Sequence, residues 1–194
     1  MKQSWKPGTV LYPLPAVLVS CGAAPEEYNM LTVAWTGTVC SDPPMCFISV
    51  RPERHSHAII SRTGEFVINL TTRRLARAAD WCGVRSGRDF DKFREMGLTA
   101  VPSEKVAAPL IAESPVNIEC RVRQVLPLGT HDMFLAEVVA VQVDADYIDP
   151  ATGRFCLERA CPIVYSHGEY FALGEALGHF GWSVRKKKKA PKRR

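Results

Sequence analysis

No run in this chain approaches the roughly 18 uncharged apolar residues that a membrane helix requires, and the opening MKQSWKPGTVLYPLP has no apolar core of the kind a secretion signal carries. These absences predict a soluble, cytoplasmic protein with no membrane partner. No Cys-x-x-Cys pair occurs among the seven cysteines, at 21, 40, 46, 82, 120, 156 and 161, and their number is odd. Both facts argue against a disulfide framework and against zinc, which wants closely paired Cys and His ligands. Most of these residues lie within apolar strand patterns, where a free thiol packs as a small hydrophobe. The chain also lacks a Gly-x-Gly-x-x-Gly after a strand and lacks a Walker loop, so any phosphate it binds must be held by other means.

What is present suits one domain: 194 residues, 46% hydrophobic and 23% charged, are enough for a sizeable core and too few for two ordinary domains. The charge is uneven. The last ten residues, RKKKKAPKRR, hold eight cations, and without them the formal charge falls from +5 to −3, since 17 Lys and Arg then face 20 Asp and Glu. This predicts a domain over residues 1–184 and a disordered basic tail over 185–194. The tail suits a solubilising extension or salt-sensitive polyanion contact, and no recognition helix or stacking platform accompanies it, so no specific nucleic-acid binding is expected.

The informative stretch runs from Asn29 to Leu70. Leu31, Val33 and Trp35 alternate with Thr32, Ala34 and Thr36, the pattern of a half-buried strand whose second face is small and able to hydrogen-bond. Such a face lets a flat aromatic ligand lie against the backbone. The strand continues through Cys40 and Ser41 to Asp42-Pro43-Pro44, where the prolines force a turn, and Met45 to Arg51 forms the next strand. Arg51, Arg54, His55 and Ser56 then precede the apolar Ala58-Ile59-Ile60, placing cations and a hydroxyl where a short helix presents unpaired N–H groups. The residues alone leave open whether this is an anion site or a solvated surface. Gly64 stops the helix, and Glu65 to Leu70 reads as a strand.

Around this unit, Val17 to Cys21 reads as a strand, and Thr71-Thr72 as the N-cap of a helix ending near Gly83. The donor-rich loop Val84 to Asp89 leads to a short helix, Phe90 to Met96, stopped by Gly97; Pro102 to Pro115 reads as an irregular connection. Val116 to Leu126 and Met133 to Val143 are long strands joined by a hairpin at Leu128 to Asp132. In the first, Val116, Ile118, Cys120 and Val122 face the core, and Asn117, Glu119, Arg121 and Arg123 face water. The turn signal Asp149 to Gly153 and two short strands, Pro162 to Tyr165 and Tyr170 to Gly174, complete the pattern. The expected class is mainly β with short helices, built as an antiparallel barrel.

The motifs NMLTVAWTGTVCSDPP, FISVRP, GEFVINL, DWCGVRSGRDFDKF and LGHFGWSV, in that order from about Leu11 to about Val184, together resemble the flavoredoxin-type flavin reductases of the FMN-binding split-barrel family. The resemblance implies a split β-barrel that binds FMN, with Asn29, Met30, Thr32, Ala34, Trp35, Cys40 and Ser41 around the ring and ribityl chain. It implies phosphate contacts from Arg51, Ser56 and Lys92, a place for Arg88 in a segment that closes over the flavin, and a place for His131 beside the reacting face, where the residue by itself reads first as a surface or capping histidine. Cys40 by itself reads as a core thiol. Leu177 to Trp182 matches a family segment near a homodimer interface, and core closure is its other reading. With no evident nucleophile–base pair in the chain, the implied chemistry is the flavin's own. It takes hydride from NADH or NADPH and passes electrons to a free flavin or an acceptor protein. A one-electron FMN carrier, or a non-enzymatic module for haem or another planar ligand, are the alternatives.

Overall fold

The computed structural model describes residues 1–185, so the basic-tail expectation lies, apart from Arg185, outside the described residues. In chain order the strands and helices are β1 (Leu14–Pro15), β2 (Val17–Cys21), β3 (Asn29–Val33), β4 (Thr36–Ser41), β5 (Pro44–Val50), α1 (His55–Thr63) and β6 (Glu65–Asn69). There follow α2 (Ala76–Val84), α3 (Lys92–Met96), β7 (Ala100–Val101), β8 (Leu110–Ile111), β9 (Val116–Pro127), β10 (Asp132–Val143), β11 (Ile163–Ser166) and β12 (Glu169–Ala172).

Seven strands form one antiparallel sheet in the order β3-β2-β6-β9-β10-β5-β4, a second sheet holds β1-β11-β12, and β7 pairs with β8. The large sheet ends in two edges, β3 and β4, and does not close on itself, as a split barrel requires. Among the described residues no helix is long and apolar enough to cross a membrane.

The strand β2 reads VLVSC with every residue buried, because the sheet here is covered on both faces. Val17, Val19 and Cys21 point into the barrel with Leu31, Val33, Ile48, Phe66 and Phe134, and α1 plugs that interior with Ile59 and Ile60. Leu18 and Met30 point outward beneath α2 and α3, against Ala78, Cys82 and Phe93. Two of the three α-helices, α1 and α3, end where the sequence stops them: Gly64 (φ +68°) and Gly97 (φ +62°) adopt the left-handed conformation that closes a helix C-terminus, whereas α2 runs past Gly83 to an extended Arg85.

The structure departs from the sequence reading in several places. The strand expected to run from Leu31 through Ser41 breaks at a bend over Ala34-Trp35, which lets Trp35 accept a backbone bond from Ser49 N at 2.9 Å while β4 restarts at Thr36. Thr72 precedes a 3-10 turn over Arg73–Leu75 without a side-chain cap, and Thr71 donates its hydroxyl to Ala16 O instead. The last short helix begins at Lys92, two residues later than Phe90, because the Asp91 carboxylate accepts from Arg94 N and fixes the N-cap there.

Asn117 and Glu119 are buried, against the expectation of a wet face. The connection from 102 to 115 carries β8 and folds over them, with Val106, Ala108 and Leu110 packing on Val67. Glu119 is satisfied there by Glu104 N, Lys105 N and Gln142, and Asn117 donates to Asn69 Oδ1 and Ile111 O. Leu177, Phe180 and Trp182 are exposed, so core closure is not their role within one chain. All seven cysteines are free and five are buried, as the spacing implied; Cys40 is half-buried and Cys161 exposed.

Candidate functional site

The site begins where β3 and β5 deliver their ends to the same corner. Asn29 opens β3 and donates from Nδ2 to Ser56 Oγ at 2.8 Å, both side chains being buried. Ser56 lies in the first turn of α1, whose N-cap position is Arg54 with no side-chain cap of its own. Arg51 follows directly on β5. Across from them comes the loop after α2, where Arg85, Ser86, Gly87 and Arg88 face inward, and then α3, which brings Lys92.

These residues, with Leu31, Glu53 and His55, enclose a cavity of about 390 Å³. Five cations, Arg51, Arg54, Arg85, Arg88 and Lys92, line it against one carboxylate, Glu53, which already engages Arg51 at 3.4 Å. Arg88 is steadied by donation to Glu53 O at 3.2 Å. Lys92 is 3% exposed and donates from Nζ to Cys82 O at 2.9 Å. Burial first, with Arg54 adding to it against the opposing pull of Cys82, brings its ammonium down to about 8. Burial and the charges of Arg88 and Lys92 likewise hold His55 below the ordinary imidazole value. A dianionic phosphate is the chemistry that would relieve this crowding of positive charge.

Next to this cavity lies a narrower slot of about 170 Å³, walled by Thr32, Ala34, Trp35, Ser49 and His131. The bend at Ala34-Trp35 turns the indole toward the tip of the β9–β10 hairpin, where its ring centroid lies 4.4 Å from that of His131 at an interplanar angle of 38°. Burial and then the Arg51 charge hold His131 below its ordinary value, which favours the neutral imidazole. Thr32 is fixed by donation of its hydroxyl to Ala79 O in α2, with Gly83 of the same helix packed on its side chain. A third chamber, of about 510 Å³, continues from the slot toward Asp80, Gly83, Tyr165, Gly168 and Tyr170. Arg51 and Arg54 line all three spaces, which makes them parts of one cleft with a cationic end and an aromatic end.

Of the residues proposed from sequence, Asn29, Arg51, Ser56, Arg88 and Lys92 meet at the cationic end, and Thr32, Ala34, Trp35 and His131 at the aromatic end. Met30, Cys40 and Ser41 are not brought there. Met30 is fully buried beneath α2 and α3, since it alternates with Leu31 and points to the other face of β3. Ser41 pairs with Pro44, seven residues before Arg51 on a strand rising about 3.3 Å per residue, so the Cys40-Ser41 end of the hairpin lies on the order of 20 Å from the cationic end. The sequence reading did not select Arg85, Gly87, Tyr165 or Tyr170. Arg85-Ser86-Gly87-Arg88 carried a usable signal, two arginines flanking a residue that lets backbone approach closely; nothing in the chain tied the Tyr165 and Tyr170 pair to this cleft.

Residues 9–174 match the family pattern of the flavin reductase like domain. The chain is 34% identical over 131 residues to an uncharacterized protein of Pyrococcus abyssi, covering 68% of this chain and 74% of that one. Among solved structures it is similar to the flavoredoxin of Desulfovibrio vulgaris (Miyazaki F), at 32% identity and a TM-score of 0.87, over 95% of this chain and 100% of that one. It shares the fold of an FMN-binding protein from Thermus thermophilus solved with bound 1-cyclohex-2-enone, at 22% identity and a TM-score of 0.77, over 92% and 99% of the two chains. Split-barrel architecture, an open cleft of cations and aromatics, and a family match over most of the sequence lead to one conclusion: the chain belongs to the flavin reductase like domain family.

Proposed function

We propose that the cleft binds FMN and that the protein is an oxidoreductase accepting hydride from NADH or NADPH and passing electrons to a free flavin or an acceptor protein. The observation that carries this reading is the sharing of Arg51 and Arg54 by the cationic cavity and the aromatic slot, which suits a ligand with a phosphate at one end and a flat ring at the other. Arg51, Arg54, Ser56, Arg88 and Lys92 would hold the phosphate, and Thr32, Ala34, Trp35 and His131 the ring. When bound, FMN supplies the hydride-accepting chemistry. The chain's part is to orient, to offer hydrogen bonds and to exclude water. His131, held toward its neutral form, accepts or donates at the ring edge without adding a sixth cation to the cleft.

The likeness to a flavoredoxin favours a second reading, an FMN electron carrier without NAD(P)H activity of its own. Adding NADH or NADPH anaerobically to the flavin-loaded protein separates the two. Rapid bleaching of the yellow band supports the reductase, and persistence of oxidised flavin under both donors supports the carrier.

We also propose that the working unit is a cytoplasmic homodimer. Trp5, Leu11, Leu177, Phe180 and Trp182 leave large apolar side chains uncovered on one chain, surface that a second copy would cover. Light scattering on the full chain reads the mass directly, and a monomer at every concentration would reject the dimer.

A further inference from the structure

His131 sits at the tip of a hairpin whose Leu128 is exposed and whose Gly129 adopts φ +92°; the turn is closed by one backbone bond, Leu128 N to His131 O at 2.9 Å, and Thr130 Oγ1 lies 3.0 Å from His131 Nδ1. The residue after it, Asp132, is tied elsewhere. Its Oδ2 accepts from His57 Nε2 at 2.8 Å across 75 residues of sequence, with the two side chains only 15% (His57) and 19% (Asp132) exposed. The His57 ring meets Phe134 edge-on, with centroids 5.2 Å apart at 71°, so its orientation is set by the barrel core. His57 belongs to the first turn of α1, the turn that carries Arg54 at its N-cap and Ser56. Asp132 also pairs across the sheet with Val50, the neighbour of Arg51.

We infer that the His57–Asp132 pair is a positioning clamp that fixes the hairpin tip to α1, so that His131 is held against Trp35 at a set distance from the arginines of the cationic end. Neither clamp residue lines the cleft. The pair acts through its neighbours: a largely buried, charge-assisted bond adds a side-chain tie to α1 at the base of a tip otherwise held by its own turn, by the ladder to β5 and by Trp35, and a site held by a locked supporting contact binds without first having to order itself. Two parts of the cleft are thereby joined by one pair whose members lie 75 residues apart in sequence. The flavin-site role of His131 belongs to the function proposed above; its placement against Trp35 is a geometric matter that can be tested without flavin.

The test is nuclear magnetic resonance of the histidine ring protons in the full-length protein, assigned with His131→Asn, together with FMN titration. Stacking on Trp35 moves the His131 ring protons upfield, a displacement that Trp35→Leu abolishes. His57→Ala and Asp132→Ala are each expected to move these signals toward those of a solvent-exposed histidine and to weaken FMN binding about tenfold, the scale of coupling between neighbouring groups, with the double variant no worse than either single one. Asp132→Asn, whose Oδ1 still accepts from His57, is expected to keep the upfield position and serves if the alanine variant does not fold. Unchanged His131 signals in folded His57→Ala and Asp132→Ala overturn the inference whatever happens to the flavin. Loss of the stacking signal with FMN affinity intact, in these variants and in His131→Asn alike, keeps the clamp and rejects the flavin-site role of His131.

Discussion

Gly87 stands so close to Asn29 that a Cβ built on it would collide with Asn29 Oδ1. The loop from Arg85 to Arg88 is thus seated directly on the start of β3, and the same asparagine holds Ser56 through its other amide atom. Gly87→Ala forces either the loop or Asn29 to move. The expected result is a loss of FMN affinity of about tenfold or more, from displaced donors that are each worth about 1.5–3 kcal/mol to a charged acceptor. Cooperative thermal unfolding should be retained. A flavin titration alongside a melting curve checks both.

The charges around the cationic end make predictions of opposite sign. Arg51→Ala and Ser56→Ala should each weaken FMN binding, the arginine by at least about tenfold. Glu53→Gln removes the only carboxylate that lines that cavity among the described residues and should strengthen binding severalfold. Titrations at low and high salt add a second check, since contacts of this kind at an open cleft weaken as ionic strength rises. Equal FMN affinity in wild type, Arg51→Ala and Ser56→Ala would reject the phosphate assignment.

Lys92 sets a pH dependence whose sign follows from its position. Its ammonium loses a proton in the folded chain near 8, well below the ordinary lysine value, so between these limits the unfolded chain binds more protons and stability rises with pH. Cys21 and Cys82, pushed up by burial to about 12 and about 11, work the other way above their ordinary value. The lysine contribution is therefore read as the difference between wild type and Lys92→Met. Phosphate prefers the charged form, so FMN affinity should fall as pH climbs through about 8 in the wild type and lose that step in Lys92→Met. Affinity measured at closely spaced pH values decides it.

Thiol reactivity should follow exposure. Cys161 is exposed and Cys40 half-buried, whereas Cys21 and Cys82 are buried with thiols held protonated. An aromatic disulfide reagent on the native protein is expected to label Cys161 first and Cys40 next, and to reach Cys21 and Cys82 only on unfolding. Early labelling of Cys21 in the folded state contradicts the packing described for the barrel interior.

The parts of this fold that could be read from sequence are those set by short-range physics. Apolar and β-branched runs located β2 and β5, alternation located β9, and the left-handed glycines at 64 and 97 ended α1 and α3. What escaped depends on long-range burial. Glu119 looked solvent-facing by its place in β9, and only the fold-over of residues 102–115 makes it an interior acceptor. Trp35 continued an alternating pattern that gave no sign of the bend carrying it to His131. The resemblance put Cys40 and Ser41 around the ring, yet a strand carries consecutive residues away from a corner, and Ser41 ends opposite Pro44. Tyr165 and Tyr170 reach the cleft from a separate three-stranded sheet, a relation no local pattern encodes.

The central claim is that a cationic cavity and an aromatic slot form one site for a phosphorylated flavin, and the most direct measurement is parallel titration of the protein with FMN and with riboflavin, which has the ring and the ribityl chain but no phosphate. Two charge-assisted contacts of about 1.5–3 kcal/mol each predict FMN binding tighter by about a hundredfold or more, with the gap shrinking in Arg51→Ala. Riboflavin bound as tightly as FMN, or neither flavin bound at all, would contradict it.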